Sequence, residues 1–234
     1  VEDPGSPIYL DENIISQPAA ALQLVAKEIF RMSDQVRDIL KKTIELVKNE
    51  EVKSIDGLKE NGEQVERLGK CITEYLAALF SSGSLTEQQA AQTASLMCVL
   101  SDVERMGTLS VEMAECMLER SDRKYKYTPE AMDELQKSLK VLNKMFCDSL
   151  KALQGDDGIE PGKMMKRKDK LLDLDIKMRK AHIERVNKGK CKASLTAPFT
   201  NILHLIDRMG NSCINLADVA ESGTSMKYFM LEEK

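Results

Sequence analysis

Two stripes of oxygen-bearing side chains are the residues best placed to do chemistry in this chain. Each advances by four, four and three residues, and the second repeats the first 103 positions later. The members are Glu104, Thr108, Glu112 and Glu115, then Asp207, Asn211, Asn215 and Asp218. Carboxylate and amide oxygens at this spacing share one face of a helix, where they can ligate a divalent cation or iron. The alternative is a solvated acidic face, and the spacing alone leaves both open.

The elements that must position these stripes are long helices. The 234 residues include no Trp, only 4% aromatic residues and 13 Met, and helix-forming Leu, Ala, Lys and Glu are abundant. Apolar residues from Leu22 to Leu46 recur in steps of three and four, which is the 3.5-residue period of a bundle seam. Polar breaks, three of which contain glycine, separate six such segments. The pattern predicts an all-α fold of six long antiparallel helices arranged as two repeated three-helix bundles.

Capping residues and stops set the expected boundaries. Ser16 before Pro18, the capping box of Thr86 with Gln89, and Thr128 before Pro129 open the first, third and fourth helices. The expected units are an extended arm (1–15), a first three-helix half (16–120), a link (121–127), a second half (128–223) and a tail (224–234).

The third and sixth predicted helices repeat one another. The segment 101–108 (SDVERMGT) aligns with 204–211 (HLIDRMGN) without a gap. A bundle seam alone does not account for the paired Arg105 and Arg208, or for the paired Gly107 and Gly210. A glycine inside a helix costs about 1 kcal/mol relative to alanine and marks close packing or a functional need. We therefore infer a duplication and expect both glycines at equivalent close contacts.

Composition and motifs exclude several classes of function. The net charge of −4 argues against a nucleic-acid partner, and no apolar run reaches the roughly 20 residues of a membrane span. The six cysteines lie far apart, as expected of reduced core residues in a cytosolic protein. The two histidines, His182 and His204, lack the partners of a di-iron oxidase or a hydrolase. We expect no enzyme, and we expect His182 to have a packing or hydrogen-bonding role.

The repeated segments resemble the signature of the PhoU family, an E-R-x-G-D core followed by an apolar stretch. The core occurs once per half, at Glu104–Gly107 and at Asp207–Gly210. Two further stretches, 9–22 and 179–189, are similar to the PhoU-like cytosolic domain that follows the membrane part of bacterial sodium/phosphate cotransporters. The resemblance covers nearly the whole chain and implies the same two-half helical fold.

This resemblance implies a non-catalytic regulatory or adaptor domain that controls sodium-coupled phosphate uptake through protein contacts. It implies the membrane part of the same transporter as partner, residues 1–15 as the linker, and the cytoplasmic face of a bacterial inner membrane as location. Because the chain begins at Val1, we expect a segment of a longer protein. Two alternatives stay open, a metal-binding helical bundle protein and a free-standing helical scaffold. A homo-oligomer also stays open.

The resemblance also implies a metal site, from which this chain departs. The family pattern needs an acid at both ends of E/D-x-x-x-D, but the second position is Thr108 in one half and Asn211 in the other. The candidate ligands are Glu66 and Glu104 in the first half, and Asp169, Asp173, Asp207 and Asn211 in the second. We expect no tight cluster and at most a weakly bound divalent cation or iron, with the second half the better site.

A basic run opens the fifth predicted helix. It consists of Lys163, Lys166, Arg167, Lys168 and Lys170. Such a run is usually a solvated helix end. If the domain lies beneath a membrane, each exposed base contributes about 1 kcal/mol to binding anionic lipid headgroups. We therefore treat the five bases as a candidate contact with anionic lipid or with a partner protein.

Overall fold

The computed structural model describes residues 2–50, 53–121, 124–156, 159 and 162–222. In these ranges the chain forms six α-helices, with no strand, so the all-α prediction is confirmed. The helices are α1 (Pro18–Asn49), α2 (Asp56–Ser81), α3 (Glu87–Ser121), α4 (Pro129–Leu153), α5 (Lys163–Asn187) and α6 (Thr196–Glu221). None of these helices is long and apolar enough to cross a membrane. The predicted tail, 224–234, lies outside the described residues.

The helix starts show which capping predictions were correct. Thr86 and Gln89 form the expected capping box, each side chain accepting the backbone N–H of the other at 3.0–3.1 Å. The Thr128 side chain accepts the N–H of Ala131. Ser16, by contrast, does not cap α1: the N-cap residue is Gln17, which makes no side-chain cap bond, and Pro18 opens the helix. Proline already lacks the N–H that would need a partner there, so a cap is less necessary.

The helices pack in the pattern expected of two three-helix halves. Within 16–120, α1, α2 and α3 contact one another, and α4, α5 and α6 do the same within 128–222. Contacts between α3 and α6, and between α1 and α4, join the two sets. Helices α3 and α6 therefore lie at the centre and bury Met106 and Met209 completely. The division into two superposable halves stays a prediction.

The two repeated glycines differ in how closely they are packed. A Cβ built on Gly107 would lie 3.4 Å from Val36 of α1 and 3.7 Å from Val65 of α2, which are ordinary van der Waals distances. One built on Gly210 would lie 3.2 Å from Leu171 and 3.4 Å from Lys168, both on α5. Both glycines are buried. A tight contact therefore accounts for Gly210, but the contacts of Gly107 leave room for an alanine.

The N-terminal residues fold onto the bundle, which corrects the prediction of an extended arm. The buried carboxylate of Glu28 in α1 accepts the backbone N–H of Ile8 at 2.6 Å and of Tyr9 at 2.9 Å. Arg31 donates to the other oxygen of that carboxylate at 2.7 Å. The three hydrogen bonds replace the water that the buried carboxylate has lost. Because two of them come from backbone N–H groups, they fix the backbone of the N-terminal segment in place.

Further contacts attach the same segment to α2. The Tyr75 hydroxyl donates to the carbonyl of Asp11 at 2.8 Å, and Arg67 pairs with Asp3 at 2.9 Å. Leu10, Ile14 and Ile15 pack against the core. Residues 2–15 therefore form part of the folded unit and cannot act over their whole length as a flexible tether.

The cysteines only partly follow the expectation of reduced core residues. All six thiols are free. Cys191 and Cys213 are buried, but Cys98 is exposed, and the remaining three are half-buried. Long helices carry small apolar residues on their flanks as well as on their buried seam, so helical location alone did not predict burial.

Replacing Glu28 by Ala should destabilise the fold by about 2–4 kcal/mol, because it leaves the N–H groups of Ile8 and Tyr9 and the guanidinium of Arg31 without their acceptor. Denaturant unfolding measures the loss, and amide hydrogen exchange at Ile8 and Tyr9 should accelerate. The matched control is Glu45→Ala, an exposed acid of the same helix. An unfolding free energy equal to that of the parent chain would contradict the role assigned to Glu28.

Candidate functional site

An acidic groove of about 320 Å³ lies between α2 and α3 of the first half. Its walls carry four carboxylates, with one lysine at the end: Glu63, Glu66, Glu112, Glu115 and Lys59. Thr108, Gly62 and Val111 complete the lining. Three of the four residues of the first stripe therefore line a groove that is open to solvent. Glu66 and Thr108, two of the positions singled out in the first half, lie in it together.

Glu104 lies at the α2 contact next to this groove. Its side chain fills the space where a Cβ on Gly69 of α2 would stand. Removal from water raises the pKa of Glu104, and the negative charge of Glu66 raises this pKa further. Sequence reasoning missed Gly69, whose absent side chain makes this approach of Glu104 to α2 sterically possible.

In the second half a lysine takes the place that a cation would need. The ammonium of Lys168 lies 2.6 Å from a carboxylate oxygen of Asp207 and 3.3 Å from the carbonyl of the same residue. Asp169 and Asp173 are exposed. Each stands two residues from Leu171, which is buried, so both point about 160° away from the buried side of α5. The structure thus does not bring Asp169, Asp173, Asp207 and the exposed Asn211 together.

The residues present do not fit a metal cluster. Nowhere in the described ranges do three or more His, Cys, Asp or Glu side chains gather into a metal-binding group. The ammonium on Asp207 also reverses the expected ranking, because the first half now offers the more open carboxylates. Whether a cation binds weakly in either half stays a prediction.

The basic run of α5 divides into two kinds of residue. Arg167 and Lys168 turn inward: Arg167 pairs with the buried carboxylate of Asp148 on α4, and Lys168 pairs with Asp207. The other three bases, Lys163, Lys166 and Lys170, are exposed. A surface contact that includes all five bases would have to break two ion pairs, so only these three remain available to an outside partner.

Helix α4 contributes bases that the sequence analysis missed. Lys137, Lys140 and Lys144 are exposed, and with Arg167 and Lys170 they surround an apolar floor of Val141 and Leu174. This groove between α4 and α5 measures about 490 Å³. The signal was present as lysines at i, i+3 and i+7, which share one face of a helix. A run of adjacent bases drew attention to α5 instead.

Two buried polar groups are structural. Asp102 of α3 accepts a hydrogen bond from the amide of Asn215 on α6 at 3.2 Å. Burial raises the pKa of Asp102, partly offset by this bond and by Arg105. His182 is buried, stacks on Phe199 with ring centroids 4.8 Å apart, and shares a 2.9 Å hydrogen bond with Thr196. The packing role expected of His182 is therefore confirmed.

Comparison with known proteins agrees with the repeated motif. Residues 29–117, which run from α1 through most of α3, match the family model of the PhoU domain. This part of the chain is therefore similar to a PhoU domain. Over 209 residues, 88% of each chain, it is 24% identical to the phosphate-specific transport system accessory protein PhoU homolog 1 of Thermotoga maritima. No solved structure matches the chain.

The two halves should respond differently when the missing acid of the PhoU motif is restored. Thr108→Asp adds a carboxylate beside Glu66, so we expect measurable Zn²⁺ or Mn²⁺ binding by calorimetry. Asn211→Asp should add none, because Lys168 neutralises Asp207. The parent chain and Asp218→Asn are the controls. Tighter binding by the Asn211 variant than by the Thr108 variant would contradict this interpretation.

Replacing Asp102 by Asn should raise the melting temperature at pH 7. Because the pKa of Asp102 is raised in the folded state, its ionisation destabilises the fold as the pH rises above the ordinary Asp range. The neutral amide avoids that cost and still accepts the bond from Asn215. The difference should shrink at pH 4. Asp218→Asn, an exposed position on α6, should change little, and a variant that melts lower at pH 7 would refute the argument.

Proposed function

We propose that this chain is an accessory regulator of phosphate uptake that acts by binding partner proteins. The match of residues 29–117 to the PhoU domain is the observation that carries the proposal. The Thermotoga maritima relative, named an accessory protein of a phosphate-specific transport system, supports it because the alignment spans both halves. The built features also suit binding: a charged groove between the helices of each half and an ordered N-terminal segment.

The finer proposal is that the chain is the cytoplasmic domain of a sodium-coupled phosphate cotransporter. It rests on the resemblance of stretches 9–22 and 179–189. In the structure these stretches contain the docked segment, with Tyr9 bonded to Glu28, and the packed His182. A docked segment would hold the bundle at a fixed orientation to the membrane part, so a change in one could be transmitted directly to the other.

Such a module works by differential contact. It must bind one state of the transporter more tightly than another, since equal affinity for both states shifts nothing. A covalent connection makes the encounter intramolecular, with an effective concentration of about 1 mM. Weak surface contacts are then sufficient for regulation.

The groove between α4 and α5 is the proposed contact with the anionic inner leaflet. Lys137, Lys140 and Lys170 are exposed and have no ion-pair partner within the described part of the chain. The three bases should supply about 3 kcal/mol of attraction to an anionic surface at physiological ionic strength. Their geometry replaces the five-residue run of α5 as the candidate surface.

The test is phosphate uptake in cells that carry the intact gene or a deletion of residues 16–234. We expect the deletion to change uptake, or its response to external phosphate, while the membrane part still inserts. Reversing Lys137, Lys140 and Lys170 to Glu should act in the same direction with a smaller effect. The matched control reverses Lys70, Lys188 and Lys190, which are exposed elsewhere.

Unchanged uptake and unchanged regulation after the deletion would refute the adaptor proposal and favour a free-standing scaffold. The metal-binding alternative is the weaker one, because no group of three or more His, Cys, Asp or Glu that could hold a metal ion occurs among the residues that the structure describes.

A further inference from the structure

Helix α5 has a second apolar face that stays exposed among the residues that the structure describes. Its core face consists of Met164, Leu171, Met178 and His182, all buried. A different set of apolar side chains is about half exposed: Met165 (52%), Leu172 (50%), Ile176 (45%) and Ile183 (58%). Single exposed apolar residues are ordinary. Four of them on one helix, at steps of seven, four and seven, lie in a stripe along one side of that helix.

The stripe has the spacing of a coiled-coil seam. Asp169 and Arg179 occupy the two seven-residue gaps of the stripe, so the six residues follow one another at steps of four, three, four, three and four. This alternation keeps a seam facing a partner helix. At 100° per residue all six side chains lie within about 40° of one direction. Asp169 is exposed and the Arg179 side chain is 38% exposed, so the whole seam is accessible.

The spacing of the seam residues is the same in both directions along the helix. Its members are arranged symmetrically about Leu174: Met165 mirrors Ile183, Asp169 mirrors Arg179, and Leu172 mirrors Ile176. An antiparallel copy of the same helix would therefore place apolar residues opposite apolar residues in four layers. In the remaining two layers it would place Asp169 opposite the partner's Arg179. A self-complementary surface of this kind is what a two-fold dimer requires.

The first half lacks such a seam. The positions 103 residues earlier are Gly62, Gly69, Thr73 and Phe80 of α2. Glu104 already fills the space beside Gly69, and Val111 approaches Gly62. The stripe is therefore not a by-product of the repeat, because it arose on α5 alone.

We propose that two copies of the chain associate through α5, antiparallel, about a two-fold axis near Leu174. The partner's Ile183 packs on Met165, the partner's Ile176 packs on Leu172, and Asp169 pairs with the partner's Arg179. The seam has six residues in each copy, against roughly 20–30 residues per partner in a standard interface, so we expect the dimer to form at micromolar protein concentration. The inference does not depend on the proposed role in phosphate uptake.

One residue in this arrangement opposes association. Asp173 flanks the seam on its solvent side and lies beside the axis, so it approaches the partner's Asp173. Replacing it by Asn removes the repulsion between like charges and should tighten the dimer severalfold.

Sedimentation equilibrium of the purified chain, from about 1 to 100 μM, tests the proposal. The parent chain should show a monomer–dimer equilibrium. Leu172→Glu should weaken the dimer at least tenfold, because it places a charge in the apolar seam. Phe80→Glu is the matched control: Phe80 is 53% exposed on α2, and its replacement should leave association unchanged. Thermal melting checks that each variant is folded.

A charge exchange provides the sharper test. Asp169→Arg and Arg179→Asp each place like charges opposite one another in both polar layers, so each variant alone should dimerise about tenfold more weakly. An equimolar mixture of the two variants restores opposite charges in both layers and should recover association. Because Arg179 also pairs with Asp175 within its own helix, a purely local effect of Arg179→Asp would persist in the mixture.

The proposal is overturned if the parent chain stays monomeric over the whole range, or if the mixture fails to recover association. It is also overturned if Leu172→Glu leaves the dimer intact. Loss of binding to anionic vesicles by Leu172→Glu, with association unchanged, would assign the seam to a membrane instead.

Discussion

The central position of α3 and α6 is the constraint on which the rest of the structure depends. Each of these helices packs against two helices of its own half and against the other, so each must be apolar around much of its circumference. Met106 and Met209 fill that centre. The Ser110 hydroxyl donates a hydrogen bond to the carbonyl of Met106. Only a narrow strip of each helix remains for polar residues, and that strip opens beside the second helix of its half. The acids of the repeated motif lie in this strip.

The two halves treat an acid in that position in opposite ways. Glu104 is brought against Gly69 and next to Glu66, and the unfavourable surroundings raise its pKa. Asp207 instead receives the ammonium of Lys168, which supplies the positive charge that a bound cation would otherwise bring. The repeated sequence motif therefore does not give the same chemistry in both halves, because residues 69 and 168 on the neighbouring helices determine the surroundings of the acid.

Local signals in the sequence predicted the fold well. The apolar spacing, the capping box of Thr86 and Gln89, and the Thr128 cap depend on residues within one turn of each other. The misassigned features depend on partners far along the chain. Glu28 receives its donors from twenty residues upstream, and Arg167 turns inward because Asp148 of another helix is buried beside it. The spacing of residues along the chain does not reveal such pairs. The N-terminal segment was therefore predicted to be extended, and all five bases of α5 were predicted to be available to a partner.

The ambiguity of α5 has the same origin. Its sequence contains two apolar stripes, a basic run and the two acids Asp169 and Asp173. A helix can bury only one face against the core. Leu171 and Met178 are buried in the core. As a result, Asp169 and Asp173 point away from α6, and Leu172 and Ile176 lie at the surface. The residues that resembled a metal site and the residues that form the exposed stripe are thus interleaved on one helix. The face of α5 that is buried in the core determines whether the exposed face can ligate a cation or contact another protein. Here the buried face leaves the acids apart from Asp207 and the apolar stripe exposed, so the geometry favours contact with another protein over coordination of a cation.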